Sequence, residues 1–170
     1  MSETPSEAQP ATRPEAQPAA HATHRSEAPS PREVFHRLLD GIGAGRYTEL
    51  AALYAEDAVV ESVFAPVGPR RFEGRATLAA RFAQVAEHSP LLLTPANVVV
   101  RETDDPEVIV AEFDYRAHHR TTGRDFEVAN VQVLRIRDGL IRHSRDYHDH
   151  LALAVAGGDL ADLVTALSAD

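Results

Sequence analysis

Two hydrophobic periods divide the chain, and a third stretch has none. From Met1 to about Pro29 the residues are mainly Pro, Ala, Glu, Gln, Ser and Thr, with no large apolar side chain after the initiator. Too little hydrophobicity is present there to offset chain entropy, so residues 1–29 are expected to form a disordered leader, with His21 and His24 carrying no function. At Ser30-Pro31-Arg32-Glu33 the pattern changes. A serine N-cap, a proline at the first helical position and a glutamate two residues beyond it make a capping box, and Val34, Phe35, Leu38, Leu39 and Ile42 then recur on one helical face. Gly41, Gly43 and Gly45 close that helix, and a second short helix is expected through Leu50, Leu53 and Tyr54.

Ala58 to Phe64 is β-branched and predicts a strand, after which Ala65-Pro66-Val67-Gly68-Pro69 can only be loop. Helical spacing returns from Gly74 to Glu87 through Leu78, Phe82 and Val85, and His88-Ser89-Pro90 stops it. Four strands follow, Leu91 to Glu102, Val108 to His119, Asp125 to Arg137 and Leu140 to Tyr147. Asp104-Asp105-Pro106, Thr122-Gly123 and Asp138-Gly139 separate them as hairpin turns, which predicts an antiparallel meander. Two short helices, Leu151 to Ala156 and Asp159 to Leu167, end the chain around Gly157-Gly158. Helices first and antiparallel strands last is an α+β pattern, with helices covering one face of a strongly bent sheet. Residues 30–170 are expected to be one domain, since 170 residues suit a single core.

Alternation along the strands marks where chemistry gathers. The last strand divides into Ile141, His143, Arg145 and Tyr147 against Arg142, Ser144, Asp146 and His148. The one before it sets Val128, Asn130, Gln132 and Leu134 against Glu127, Ala129, Val131 and Val133, and the one before that sets Glu112, Asp114, Arg116 and His118 against Phe113, Tyr115 and Ala117. Polar residues thus recur on one face of three strands. One reading is a wet outer face. The other is a polar lining inside a covered cavity, favoured by apolar side chains on both faces of the third strand.

Composition narrows the chemistry. The chain has no cysteine, so disulfides, thiolate nucleophiles and Cys-based metal sites are out, and all 17 cationic side chains are arginine, which removes Schiff-base lysines and phosphate-loop lysines. A formal charge of -9 with scattered arginines disfavours nucleic acid as a partner. No long apolar run predicts membrane insertion, and no signal-like start predicts export, so the expected compartment is the cytoplasm. Neither a Gly-x-Ser-x-Gly nor a Gly-x-Gly-x-x-Gly is present. His148, Asp149 and His150, with His118 and His119 on another strand, raise a metal site, but lack a third ligand at diagnostic spacing; no metal and no cofactor is expected.

The segment Asn130 to Ile141 followed by Ser144-Arg145-Asp146-Tyr147-His148-Asp149 resembles the closing hairpin of the nuclear transport factor 2-like superfamily, with Arg-Asp-Tyr its most specific element. Leu53-Tyr54-Ala55-Glu56-Asp57-Ala58-Val59 and Phe72-Glu73-Gly74-Arg75 resemble earlier pieces of the same group, so the resemblance spans about Ser30 to Ala156. It implies a cone-shaped α+β barrel, commonly a homodimer, as in SnoaL-like polyketide cyclases, limonene-type epoxide hydrolases, ketosteroid isomerases and non-catalytic binders. Fold does not fix chemistry. Carried over, Asp146 matches the pocket carboxylate of the epoxide hydrolases and Asp114 their second aspartate. Their intervening arginine falls on Glu112, and their water-holding tyrosine and asparagine fall near Val60 and Ser62, where this sequence departs from the pattern.

Asp146 and Asp114 are therefore the candidate catalytic pair. Two carboxylates in one partly apolar cavity cannot both ionise cheaply, which suits general acid–base work on a carbonyl or enol without a cofactor. Asn130, Gln132 and Ser144 are candidate donors to a developing oxyanion, and Arg116, His148, Val128 and Glu112 complete the expected substrate contacts. The expected reaction is an isomerisation, cyclisation or hydration of a hydrophobic carbonyl compound. The alternatives are a binding or accessory module whose polar residues only orient a ligand, and a dimerisation domain whose interior is plugged. For single residues, Asp146 beside Arg145 can be a structural ion pair, and Tyr54 and Tyr115 packing residues.

Overall fold

A computed structural model describes residues 28–68 and 70–169. The expected leader, 1–29, falls almost wholly outside the described residues. The order is α1 (Pro31–Gly43), α2 (Tyr47–Leu50), a 3-10 turn (Ala51–Leu53), β1 (Tyr54–Ser62), β2 (Arg71–Glu73), α3 (Arg75–His88), β3 (Leu91–Glu102), β4 (Val108–His119), β5 (Asp125–Arg137), β6 (Leu140–His148), α4 (His150–Gly157) and α5 (Leu160–Leu167). The six strands form one sheet in the order β2-β1-β6-β5-β4-β3. All neighbours are antiparallel except β1 and β6, which run parallel. Five helices and a bent, open sheet make the α+β cone.

The capping box at the start of α1 is formed, with Ser30 N donating to Glu33 Oε2 at 2.7 Å and Glu33 N to Ser30 Oγ at 3.3 Å. Helix α1 lays Val34, Phe35, Leu38 and Leu39 against the concave face of the sheet, all 2% exposed or less. Burial of each such side chain contributes roughly 1.5–3 kcal/mol. Phe35 meets Phe113 edge-on at 5.6 Å, and Phe113 meets Tyr115 at 5.2 Å, so one aromatic row ties α1 to β4. At the β5–β6 turn, Asp138 and Gly139 both have positive φ (54° and 73°), the tight hairpin that an Asp-Gly pair favours.

Two boundaries depart from the sequence reading. Leu50, Leu53 and Tyr54 do not share a helix, because after one 3-10 turn the chain extends and Tyr54 pairs with Ile141 of β6. Arg75 Nε donates to the Tyr54 carbonyl at 2.7 Å and holds that entry. The three-residue β2 has no counterpart among the elements expected from the sequence; Val60 pairs with Phe72 and draws it into the sheet.

The cone is solid at one end and hollow at the other. Ile109, Ala111 and Phe113 of β4, Leu134 and Ile136 of β5 and Ile141 of β6 fill the solid end. Further along the same strands the inward positions become Tyr115, Gln132, Asp146 and His148, and the space between them and the helices stays open.

Candidate functional site

The hollow is a cavity of about 260 Å³. Its helical wall is apolar along Leu38 and Ile42 of α1 and Leu78, Phe82 and Val85 of α3, with Arg81 of α3 and His150 of α4 as its polar members, while β4, β5 and β6 supply Tyr115, Gln132, Asp146 and His148. Such a volume lies just under the low end of the ~300–1,000 Å³ usual for small-molecule pockets.

Asp146 is the one carboxylate among the described residues lining this cavity, and its side chain is 13% exposed. Register puts it there. Asp146 stands opposite Gln132 of β5 and Ser62 of β1, and residues directly opposite share a face. Oδ1 accepts from Gln132 Nε2 at 3.0 Å and from the Ser144 hydroxyl by a short bond. Oδ2 is left facing His148 Nε2 at 3.7 Å. Arg145, next in sequence, points to the other face and pairs with Glu61 at 3.4 Å, so the Asp146–Arg145 ion pair is not formed.

The orientation of His148 follows from its neighbours. Asn130 Nδ2 donates to the Val128 carbonyl at 2.7 Å, which fixes the amide and aims Oδ1 at His148 Nδ1, 2.6 Å away. Nδ1 is then the donor in that bond, and Nε2 is turned toward the Asp146 carboxylate. Asp146 and His148 thus stand as a carboxylate–imidazole dyad, 3.7 Å apart, at the cavity wall.

Two phenols complete the lining. Burial, reinforced by the negative charge of Asp146, raises Tyr54 far above the ordinary tyrosine value, and burial with Tyr47 and Asp146 does the same to Tyr115. Both stay hydroxylated at any working pH and can only donate to, or share with, a ligand oxygen. Gln132 Oε1 is buried without a hydrogen-bond partner among the described residues, as is His150 Nε2.

The other expected site residues lie elsewhere. Asp114 pairs with Ala129, whereas Phe113 pairs with Asn130 and Ala111 with Gln132, so Asp114, Glu112 and Arg116 face outward. Asp114 accepts from Asn97 Nδ2 at 2.7 Å, Glu112 pairs with Arg101 at 2.7 Å, and Arg116 borders an outer groove with His118. The paired-carboxylate expectation is therefore corrected: one aspartate is inside and the other outside. Val128 faces inward but is wholly buried behind the lining, and Asn130 and Ser144 act on the dyad rather than on open space. His118 bonds Asp125 at 2.8 Å and His119 accepts two turn amides; no metal-ligating cluster of three occurs among the described residues.

Sequence reading missed Tyr54, Tyr115 and Arg81 as lining residues. For Arg81 a signal existed, since Leu78, Arg81, Phe82 and Val85 follow the i, i+3, i+4, i+7 spacing of the inward stripe of α3.

A model of the SnoaL-like domain matches residues 35–144, from Phe35 in the core of α1 to Ser144 beside the dyad. The chain belongs to the SnoaL-like family. Within the nuclear transport factor 2-like superfamily, this SnoaL-like chain is similar to the PhzA/B-like protein PA3332 of Pseudomonas aeruginosa, 34% identical over 124 residues that cover 72% of the chain and 84% of that protein. It is also similar to YesE of Bacillus subtilis, 33% identical over 107 residues, 62% of the chain and 72% of that protein. The crystal structure of a phenazine biosynthesis-related protein from Pseudomonas aeruginosa shares the SnoaL-like fold at a TM-score of 0.63, with 20% identity, covering 86% of this chain and 89% of that one.

Proposed function

We propose that this SnoaL-like chain is a cofactor-independent, small-molecule enzyme that moves protons on a hydrophobic carbonyl compound, as an isomerase, cyclase or hydratase. The observation that carries this reading is a partly buried aspartate, the one carboxylate among the described residues lining the cavity, with one oxygen fixed by two donors and the other turned to a histidine. In the proposed step, Asp146 Oδ2 removes a proton from the carbon next to the carbonyl, and the electron pair passes to the oxygen. Tyr54 and Tyr115 donate hydrogen bonds to the resulting enolate. The same carboxyl, or His148 Nε2, returns the proton at another position; in a cyclisation the enolate carbon attacks a second carbonyl carbon of the same molecule, whose π pair moves to its oxygen, and that oxygen takes the proton from Asp146. Gln132 and Ser144 hold Oδ1 so that the basic oxygen keeps one direction.

The test needs no natural substrate. Enolisation is read by NMR as deuterium exchange next to the carbonyl of 2-cyclohexenone and of cyclic ketones of similar size. The protein is expected to accelerate exchange over buffer, and Asp146→Asn to lower the rate about 10²–10⁴-fold. Full exchange by that variant refutes the assignment; ligand retention without any exchange by the wild type moves the chain to the non-catalytic binders.

The same proposal includes a homodimer. On the convex face Phe64, Val99, Val131 and Tyr147 line an outer groove together with Glu112, Asp114 and Asp149, with Phe64 65% and Val99 45% exposed. Large exposed apolar side chains gathered on one face mark a surface that a protein partner can cover. Light scattering at micromolar concentration is expected to give twice the chain mass, and Val131→Glu to give one.

A further inference from the structure

Arg81 is the one arginine among the described residues that line the inner cavity. It leaves α3 in the inward stripe, its guanidinium lies over the Phe72 ring at 4.3 Å, and it borders both the inner cavity and a neighbouring groove between α4, α5 and the 62–67 loop. Among the described residues no carboxylate makes an ion pair with it. Loss of water pushes its guanidinium below the ordinary arginine value, and the opposing influence is the charge of Asp146 across the cavity. His150, the first residue of α4, stands beside it with Nε2 buried and unpartnered. Together with Ser62 and Leu153, these two residues line both compartments, so they form the passage between them.

The groups around the passage set what belongs in it. Burial, His148 and Arg81 hold His150 below the ordinary imidazole value, against Asp146 and Asp149, which act the other way. Arg81 then presents an exposed guanidinium with no ion-pair partner among the described residues, and a two-pronged, charge-assisted bond to a carboxylate is the contact that its geometry suits. Asp159 and Asp162 border the outer groove and repel an anion there, so it belongs on the cavity side of the guanidinium.

We propose that Arg81 and His150 form an anion subsite at the cavity mouth, and that the molecule taken up is a small organic monocarboxylate held charge-outward, its uncharged end at Asp146. This rests on the inner cavity being the reactive chamber. The alternative role for Arg81 is a surface side chain merely packed on Phe72.

Cyclohexanecarboxylate and cyclohexanecarboxamide, alike in shape and different in charge, separate the two. Calorimetry or saturation-transfer NMR on the full chain near pH 7 is expected to show the acid bound about tenfold or more tighter than the amide. Arg81→Gln should abolish that preference while leaving amide binding within about twofold, and Arg81→Lys should keep part of it. His150→Gln should weaken the acid and flatten its tightening as pH falls through the imidazole range. Equal binding of acid and amide, no binding of the acid at millimolar concentration, or a preference that survives Arg81→Gln overturns the subsite. Failure of the acid–base reading looks different: Asp146→Asn then exchanges deuterium at the wild-type rate, and the acid–amide comparison still reports on Arg81.

Discussion

Replacing Asp146 by asparagine and by leucine asks two separate questions of one position. Asparagine can keep its oxygen where Oδ1 now accepts from Gln132 Nε2 and Ser144 Oγ, and it places an N–H donor where Oδ2 faces His148 Nε2. No buried partner is orphaned, so stability should change by less than about 1 kcal/mol while proton transfer collapses. Leucine removes both acceptor atoms. Gln132 is 6% and Ser144 1% exposed, so neither donor can turn to water. At about 1–3 kcal/mol for each buried donor left unmade, the loss is at least about 2 kcal/mol. For a domain of this size that lowers the midpoint by about 6 °C or more in a thermal melt. Equal stability of Asp146→Leu and wild type would show that the two donors are not spent on this carboxylate, and the geometry argued for the dyad would be wrong.

Asp114→Asn alters only the outward bond to Asn97 and should leave deuterium exchange unchanged; a tenfold loss would return Asp114 to the mechanism. Tyr54→Phe removes a phenol from the cavity and should slow exchange about tenfold or more with binding of cyclohexanecarboxamide preserved. His150 sits below its ordinary value of 6.5 in the folded chain, so the unfolded chain binds more protons between the two values. Its contribution to stability is thus present above pH 6.5 and lost as pH falls, and His150→Gln should flatten that limb of a denaturation-versus-pH profile. A chain beginning at Ala28 should melt within about 2 °C of the full chain, since the cap, Ser30 with Glu33, is retained; a larger drop would mean that residues 1–27 pack on the domain.

Much of the fold was legible because its punctuation is local. Ser30 with Glu33, Asp138-Gly139 and Pro90 mark boundaries that the structure keeps, and the four long strands run where alternation placed them. Which face of a strand looks inward is not local. Alternation assigns Asp114 and Asn130 each to one of two faces, but only the pairing of Asp114 with Ala129 and of Phe113 with Asn130 puts them on opposite ones. The polar side of β5 and β6 is the inner side, and that of β4 is the outer. A register shift between Arg135 and Ile136 adds a further phase change, which lets Ile141 and Ser144 both be buried although three residues apart. Tyr54 misled for another reason. Its spacing from Leu50 is helical, and only the tertiary pairing with Ile141 makes it a strand residue.

The parallel seam between β1 and β6 binds the chamber to chain topology. His143 meets Glu61 across 82 residues of sequence, and Ser62 lies opposite Asp146 on the same seam. Closing so long a loop is entropically slow, and contacts of this separation form late in folding. During synthesis β1 therefore waits with an open edge until the last strand emerges, and that same strand brings Asp146 and His148. A chain stopped short of β6 has a floor and helices but lacks both polar side chains of the dyad, so the chamber acquires its polar wall only with completion of the sheet.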